Sequence, residues 1–288
     1  MTLTDIPGIL SLHGVADQTI PLVFDSPHSG VTYPDDFGAI APMALLRRAE
    51  DTDVHVLFGD AVAVGAVMLA AHFPRAYLDA NRAETDMDPA QIAGPPPFPL
   101  APGPKAQQGI GLCWTRVPPD GGPMYAGPLP AEVLRHRVET CHRPYHGALQ
   151  QLIDTTHARW GQVWHINCHS MPEFPSAMNA GEDPTIARAD FVLGDRDGTT
   201  CAPDFTRTVR DWLLGRGYSV KINDPYKGVE LVRRHGRPAE GRHSLQVEVN
   251  RRLYMDEATR ARNDHFDATR ATLRDLAAHL ADFIANRG

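Results

Sequence analysis

The chain has 288 residues, 42% hydrophobic and 22% charged, a composition typical of a globular protein that buries a sizeable core. Its net charge of −7 argues against a general nucleic-acid-binding protein, because phosphate contacts need clustered lysine and arginine. No apolar run approaches the roughly 18 residues that span a bilayer. Residues 1–7 lack the features of a signal peptide, so we expect a cytoplasmic protein with neither a nucleic-acid nor a membrane partner.

The cysteines are far apart in the chain and form no CxxC pair. They are Cys113, Cys141, Cys168 and Cys201. A structural zinc knot and a disulfide scaffold are therefore not expected. We predict reduced and mostly buried thiols instead.

Short apolar runs that stop at turn residues predict buried strands, and longer amphipathic stretches predict helices. Strands are predicted over residues 20–24, 64–71, 75–78, 163–167, 191–194, 218–222 and 244–249. Helices are predicted over residues 43–63, 130–160, 203–216 and 256–286. A break is expected in the first helix at residues 51–53, and Pro144 is expected to kink or divide the second.

The alternation of strands and helices predicts an α/β fold with a mixed, largely parallel sheet flanked by helices. We expect one domain over residues 1–288. Residues 93–104, AGPPPFPLAPGP, predict a loop without regular hydrogen bonding. We interpret this loop as an excursion near the functional site and not as a domain linker, because polar motifs lie on both sides of it.

Ionisable clusters follow several predicted strands, where the carboxyl ends of parallel strands meet and ligands bind. The clusters are Asp25 with His28, Asn81 with Arg82, His169, and Asp195. His28 and His169, joined by one carboxylate, would form a zinc site with an open position for water. Zinc lowers the pKa of such a water toward about 7 and so supplies hydroxide at neutral pH. A single histidine among the 14 is more often structural, so the strand-end position is what favours these two.

Eight short motifs follow one another along most of the chain. They are SPHSG (26–30), EDTDVH (50–55), DANR (79–82), RPYH (143–146), NCHSM (167–171), GDR (194–196), YKG (226–228) and EVNR (248–251). In this order they resemble the N-formylglutamate amidohydrolase family, which looks like a distant relative of zinc carboxypeptidases and aspartoacylase. The resemblance implies a zinc-carboxypeptidase-like (phosphorylase/hydrolase-like) fold and zinc as the cofactor.

The resemblance also implies the metal ligands. His28 and His169 match the metal histidines of the family. Asp51 is the predicted acid ligand, because the family pattern centres on an acid there, and Glu50 and Asp53 are close enough to compete. All three acids lie where a helix begins, so capping and first-turn charge are the alternative explanation for them.

Glu248 is the predicted general base. The strand pattern of Leu245, Val247 and Val249 places Glu248 on the opposite face of its strand. A carboxylate beside a metal-bound water accepts its proton and passes it to the leaving nitrogen, and the resemblance implies this role. The alternative is an ordinary charged face or a salt bridge to Arg251 or Arg252.

The resemblance implies that Asn81 and Arg82 bind a substrate carboxylate, and a guanidinium fits a carboxylate through two hydrogen bonds. Arg75 and Lys227 are the candidates for a second carboxylate. Such a set suits a small acidic amide. Tyr145 is a further substrate-binding candidate. It shares a helix with His142 and His146, which either line the site or pack the helix.

The activity implied by the resemblance is zinc-dependent hydrolysis of N-formyl-L-glutamate to formate and L-glutamate, a step of histidine degradation. The nearest alternative is a metal-dependent hydrolase of another N-acyl amino acid or short peptide, since the chain departs from the family pattern at Gly228-Val229 and at residues 230–233. A ligand- or metal-binding protein without activity is disfavoured by the presence of Glu248 and both histidines. A Ser/His hydrolase is disfavoured because the chain has no GxSxG elbow.

Overall fold

Strands and helices alternate along the chain in the structure, a computed structural model that describes residues 3–176, 178–179 and 181–287. In chain order the strands are β1 (Leu10–His13), β2 (Leu22–Ser26), β3 (Val67–Ala71), β4 (Ile92–Ala93), β5 (Arg116–Val117), β6 (Gly122–Pro123), β7 (Leu129–Pro130), β8 (Val163–Met171), β9 (Phe191–Gly194), β10 (Val220–Ile222) and β11 (Arg242–Asn250). The α-helices are α1 (Met43–Leu46), α2 (Val54–Gly59), α3 (Pro104–Gln107), α4 (Ala131–Arg137), α5 (Arg143–Trp160), α6 (Pro203–Leu214), α7 (Glu230–His235) and α8 (Phe266–Ala285).

The central sheet has seven strands in the order β1-β3-β2-β8-β11-β9-β10. Its middle strands, β3, β2, β8 and β11, are parallel to one another. β1 is antiparallel to β3 at one edge, and β9, which pairs in parallel with β10, is antiparallel to β11. The sheet is therefore mixed and largely parallel, which confirms the predicted α/β fold.

The two faces of the sheet differ in polarity near the middle. One face packs in a core with α2, α6 and α8, and the other packs in a core with α5. In β8, Ile166 and Cys168 contribute to the first core, whereas His165, Asn167 and His169 alternate with them. These polar side chains are buried in the interior of the protein. Buried polar groups need hydrogen-bond partners, so these three side chains are expected to form specific hydrogen bonds with their neighbours.

Most predicted strands lie within a few residues of the observed ones, but the strand predicted at residues 75–78 is wrong. The chain turns there instead, and the amide of Tyr77 donates to the carbonyl of Pro74 at 2.9 Å. The following residues join another segment, since the amide of Asp79 donates to the carbonyl of Leu112 at 2.7 Å. The apolar pattern of residues 75–78 reflects burial in the core and not sheet pairing. The antiparallel edge strand β1 was not predicted, because its alternating pattern extends over only four residues.

The predicted break in the first helix is confirmed, whereas the predicted start of the last helix is wrong. Residues 50–53 separate the helical turns of α1 from α2. In the second predicted helix, a π-helical turn at Val138–His142 lies between α4 and α5, and Pro144 lies in the first turn of α5. The last helix begins at Phe266 and not at residue 256. Asp256 accepts hydrogen bonds from the amides two and three residues later, both at 2.8 Å, and such a local turn competes with helix formation.

The four cysteines are free and buried, as predicted. Within the described part of the chain, no helix is both long enough and apolar enough to cross a membrane.

Gly30 allows the segment after β2 to lie directly against the segment after β3. A Cβ atom at Gly30 would stand 2.3 Å from the carbonyl oxygen of Phe73 and 2.4 Å from that of His72. The amide of Thr32 donates to the same His72 carbonyl at 2.9 Å. Gly30 lies two residues after His28, so this close approach also positions the histidine.

We predict that Gly30→Ala lowers the free energy of unfolding by about 1–3 kcal/mol, because an added methyl group must displace backbone atoms. Chemical denaturation measures this. Gly147→Ala is the matched control, since Gly147 is exposed in α5 and an added Cβ meets nothing within 4 Å. It should stabilise the protein by up to about 1 kcal/mol through helix propensity. Equal effects of the two substitutions would contradict the close approach.

Candidate active site and metal centre

The candidate site lies at the carboxyl ends of the parallel strands, as the sequence predicts. His169 lies near the end of β8 and pairs in register with Glu248 of β11. His28 follows β2 by two residues. Asp51 comes from the break before α2, and its amide donates to the carbonyl of His28 at 3.0 Å. Separate segments thus meet at one edge of the sheet.

His28, Asp51 and His169 form a buried cluster in which one ligand atom of each lies within 4.8 Å of the others. Oδ2 of Asp51 lies 3.3 Å from Nδ1 of His28 and 3.1 Å from Nδ1 of His169. Burial raises the pKa of Asp51, but contacts with His169 and His28 and the charge of Arg75 outweigh this and hold the pKa well below its usual value. The carboxylate is therefore ionised, as a metal ligand must be.

Asp79 orients the imidazole of His28. Nε2 of His28 lies 2.6 Å from Oδ1 of Asp79, and this nitrogen donates because the carboxylate has no proton to give. Burial opposes ionisation of Asp79, but its contact with His28 and the charge of Arg75 hold its pKa well below the usual value. With its proton on Nε2, His28 presents a lone pair on Nδ1 to the cluster. Within the described part of the chain, this buried Nδ1 has no hydrogen-bond partner.

Asn167 fixes His169 in the same way. The Asn167 amide nitrogen donates to Asp25 at 2.7 Å, so its Oδ1 is the atom that faces Nε2 of His169, also at 2.7 Å. Donation from Nε2 to this oxygen is the shorter of its two contacts, since the amide nitrogen of Asn81 lies 3.0 Å away, and it favours the proton on Nε2. In this tautomer Nδ1 of His169, 3.1 Å from Oδ2 of Asp51, is the nitrogen left to bind a cation held between the two side chains.

The two other acids near Asp51 have different partners. Glu50 accepts hydrogen bonds from Tyr33 at 2.7 Å and Thr52 at 3.1 Å. Asp53 has a left-handed backbone before α2 and pairs with Arg262 at 2.7 Å. Neither carboxylate faces the two histidines. Asp51 is thus the acid that the structure places beside them, and its side chain does not cap α2.

The donor set fits a zinc-type cation. Two imidazole nitrogens and one carboxylate oxygen converge, and the unpartnered Nδ1 of His28 is satisfied if it binds a cation. The partners of the two Nε2 atoms, Asp79 and Asn167, are of the kind that orient histidine ligands in metal sites.

A cavity of about 420 Å³ opens beside the cluster of His28, Asp51 and His169, with His169 in its wall. The cations that line it are Arg48, Arg75, Arg82, Lys105, Lys227 and Arg251. Among the described residues that line it, Glu248 is the only acid. Although the whole chain is acidic, this cavity is therefore suited to an anionic ligand.

Glu248 lies in the cavity wall with its Oε1 2.9 Å from the side-chain nitrogen of Gln246, which donates to it. The alternative prediction, a salt bridge from Glu248 to Arg251 or Arg252, is wrong. Arg251 contacts Asp51 at 3.1 Å, and Arg252 contacts Asp190 at 2.6 Å. Burial raises the pKa of Glu248, and this effect outweighs the lowering by His169. A raised pKa suits a carboxylate that accepts and then returns a proton.

A family model for N-formylglutamate amidohydrolase matches residues 20–255. The chain belongs to the N-formylglutamate amidohydrolase family. This confirms the family predicted from the eight motifs.

Individual relatives agree with this family assignment over nearly the whole chain. The crystal structure of N-formylglutamate amidohydrolase from Ralstonia eutropha JMP134 superposes with a TM-score of 0.92 at 44% identity and covers 98% of this chain and 100% of that one. N-formylglutamate deformylase of Pseudomonas aeruginosa is 29% identical over 271 residues, 91% of this chain and 92% of the relative. N-formylglutamate deformylase of Pseudomonas putida is 28% identical over 288 residues, 97% of this chain and 98% of the relative.

The predicted substrate-binding residues of this amidohydrolase-family chain fall into two groups. Arg75, Asn81, Arg82 and Lys227 line the cavity. Both ends of the Asn81 side chain already have partners, since its Oδ1 accepts from the amide of Leu231 at 3.0 Å and its nitrogen faces His169. Asn81 therefore connects α7 to His169. Arg82 is freer, because its nearest carboxylate oxygens, on Asp79 and Asp86, are 3.9 and 4.0 Å away.

Tyr145 belongs to the second group and does not reach the cavity. It is fully buried, and its hydroxyl donates to Asp25 at 2.7 Å. Asp25 also accepts from His165 at 2.8 Å and from Asn167 at 2.7 Å. Burial raises the pKa of Asp25, but these hydrogen bonds outweigh it and lower the pKa. Tyr145 thus acts on the site through Asp25, Asn167 and then His169.

His142 and His146 support the Asn81-Arg82 segment from behind. Their rings stack with centroids 4.0 Å apart. Nε2 of His146 lies 2.8 Å from the carbonyl of Ala80, and Nε2 of His142 lies 2.9 Å from that of Arg82. These histidines pack the helix and position the segment.

Lys105 is a cavity residue that sequence reasoning missed. It lies in α3, directly after the Pro-rich loop that was expected to approach the site. The Pro-rich sequence indicated a loop near the site, but it does not show which side chain of this region lines the cavity.

We predict that Tyr145→Phe lowers the free energy of unfolding by about 1–3 kcal/mol, because one oxygen of buried Asp25 loses its donor. Urea denaturation measures this loss. Tyr218→Phe is the control, since that hydroxyl is half-buried and faces Thr272, and its effect should stay within about 0.5 kcal/mol. A stable Tyr145→Phe protein with a raised KM would instead indicate direct contact with substrate.

Proposed function

We propose that this chain hydrolyses N-formyl-L-glutamate to formate and L-glutamate with a zinc ion bound by His28, Asp51 and His169. One observation carries the proposal. The buried cluster of two histidines and an aspartate adjoins a cavity in which Glu248 is the only acid among the described lining residues, surrounded by cations. The family match and the names of the relatives support the choice of amide.

A zinc ion at this cluster supplies a Lewis acid that polarises a carbonyl and acidifies a water molecule. The protein's part is to hold that ion in one arrangement. Asp79 and Asn167 keep both imidazoles in the tautomer that presents Nδ1. Arg251 stabilises the charge of Asp51 from the other side, at 3.1 Å from Oδ1.

Glu248 is the proposed proton carrier. Water adds to the formyl carbon, and Glu248 accepts the proton that this water releases. The carbon–nitrogen bond then breaks, and Glu248 returns the proton to the departing nitrogen, which leaves as the amine of glutamate. The formic acid released with it passes its proton to that amine at neutral pH, so the products are formate and the ammonium form of L-glutamate. Its position opposite His169 in the β8–β11 ladder keeps the carboxylate beside the metal cluster.

Arg82 is the proposed anchor for one substrate carboxylate. Its guanidinium lines the cavity, and its buried Nε has no hydrogen-bond partner within the described part of the chain. A charged fork in this position binds a carboxylate through two hydrogen bonds. Arg75 is less available, because it already donates to Asp79 at 3.1 and 3.2 Å. We infer a place in histidine degradation in the cytoplasm from the family resemblance alone.

We predict that the zinc-loaded protein hydrolyses N-formyl-L-glutamate faster than N-formyl-L-aspartate or N-acetyl-L-glutamate. A chelator should abolish the activity, and added zinc should restore it. Formate release and metal analysis measure these outcomes. Preference for another acyl amino acid would replace the substrate and leave the metal site intact.

The metal part of this prediction has its own variant. His169→Ala should lose most of the bound zinc, because one of three ligands is gone. His13→Ala removes an exposed histidine of β1 and should retain both zinc and activity. Full zinc content in His169→Ala would remove this cluster as the metal site.

We predict that Glu248→Gln lowers kcat by about 10²- to 10⁴-fold, because the amide cannot accept and return a proton. Zinc content should be unchanged, since Glu248 is not a member of the metal cluster. Glu139→Gln, at a largely exposed acid that faces Arg143, is the control and should retain full kcat. A Glu248→Gln protein with normal kcat would exclude Glu248 as the base.

A further inference from the structure

The proposed substrate carries two carboxylates, whereas three of the six cations that line the cavity are already held by carboxylates of the protein. Arg75 donates to Asp79, and Arg251 donates to Asp51 at 3.1 Å. Lys227 lies at the rim, where its ammonium contacts Asp197 at 2.9 Å and its side chain is 57% exposed. A second carboxylate that bound one of these groups would have to compete with a carboxylate of the protein.

Lys105 differs from these cations. Among the described residues, its Nζ has one polar contact, the carbonyl of Met178 at 3.5 Å, and no carboxylate oxygen within 4.0 Å. The nearby acid Glu182 is already held by Arg188 through contacts of 2.9 and 3.0 Å. Burial lowers the pKa of Lys105, and the charge of Arg82 lowers it further. A half-buried ammonium next to another cation gains from an anion placed between them.

The Pro-rich loop is attached to the Arg82 segment, which is why Lys105 reaches the cavity. The amide of Gly103 donates to Asp86 Oδ1 at 2.8 Å, and the amide of Ala101 donates to the carbonyl of Thr85 at 2.7 Å. These contacts hold the start of α3 beside residues 82–86. Lys105 and Arg82 consequently lie together in the cavity wall and in an adjoining groove of about 330 Å³.

We propose that Lys105 binds the second carboxylate of an acidic N-acyl amino acid while Arg82 binds the first. Lys105 is then a specificity residue that makes the site prefer a dicarboxylate to a substrate with a neutral side chain. This inference rests on the proposed function. It assigns the second carboxylate to Lys105 in place of Arg75 or Lys227.

Lys105→Met tests the assignment, because methionine keeps the aliphatic length and removes the charge. The metal-loaded variant should show a KM for N-formyl-L-glutamate raised about 10- to 100-fold, as expected for the loss of one charged hydrogen bond. The KM for N-formyl-L-glutamine, whose side chain is neutral and of equal length, should change less than about 3-fold. Lys105→Arg should recover part of the preference.

Two further lysine variants complete the comparison. Lys221→Met removes an exposed lysine that pairs with Asp224 and does not line the cavity, so both KM values should stay as in the wild type. Lys227→Met tests the competing assignment. A carboxylate-specific loss in Lys227→Met without one in Lys105→Met would overturn the proposal, as would an equal change for both substrates in Lys105→Met.

Binding measurements separate this inference from the proposed function. If the wild-type protein hydrolyses neither substrate, the proposed function fails, and calorimetry with L-glutamate and L-glutamine still tests Lys105. A Lys105→Met protein that loses affinity for L-glutamate alone supports the carboxylate site. Unchanged affinity for L-glutamate, or no binding of L-glutamate by the wild type, overturns it.

Discussion

The contact of one buried carboxylate with two imidazoles is the interaction on which the rest of the site depends. Asp51 lies between His28 and His169, with Arg251 on its other oxygen. Burying a charge is costly unless it is paired and hydrogen-bonded, so the surrounding groups must hold their positions closely. The fold holds these groups in position because residues 50–53, before α2, pack against the carboxyl ends of β2 and β8.

A second set of buried groups holds the first in place. Asp79 orients His28, and the chain from Tyr145 through Asp25 and Asn167 orients His169. Such a network is rigid when every member is satisfied and costly when one member is missing. This explains why the middle strands carry polar residues on one face, where an ordinary parallel sheet would be apolar on both.

The distribution of charge separates the cavity from the rest of the surface. The chain carries a net charge of −7, yet its cavity presents cations around Glu248. Arg75 and Arg251, which pair with Asp79 and Asp51, help to hold the cluster of His28, Asp51 and His169 in place. Cations without such partners remain available to a ligand, and this distinction separates Lys105 from Arg75 and Lys227.

Much of the architecture was predictable from sequence because its determinants are local. Apolar runs with turn residues at their ends predicted the middle strands, and the motifs around His28, Asp51 and His169 predicted the family. The turn at residues 75–78 was missed, since an apolar segment packs in a core equally well as a strand or a turn. The late start of α8 was missed because the competing hydrogen bonds of Asp256 depend on backbone geometry.

The sequence by itself determined the fold class and the family, and it predicted the residue types of the candidate metal cluster. Tertiary structure alone decided that Asp51, and not Glu50 or Asp53, faces the histidines. It also decided that Tyr145 lies behind the site and that the Pro-rich loop delivers Lys105 to the cavity. The physical reason is that the sequence gives the residue type at each position directly. The orientation and pairing of side chains depend instead on segments that are far apart in the chain and meet only when it folds.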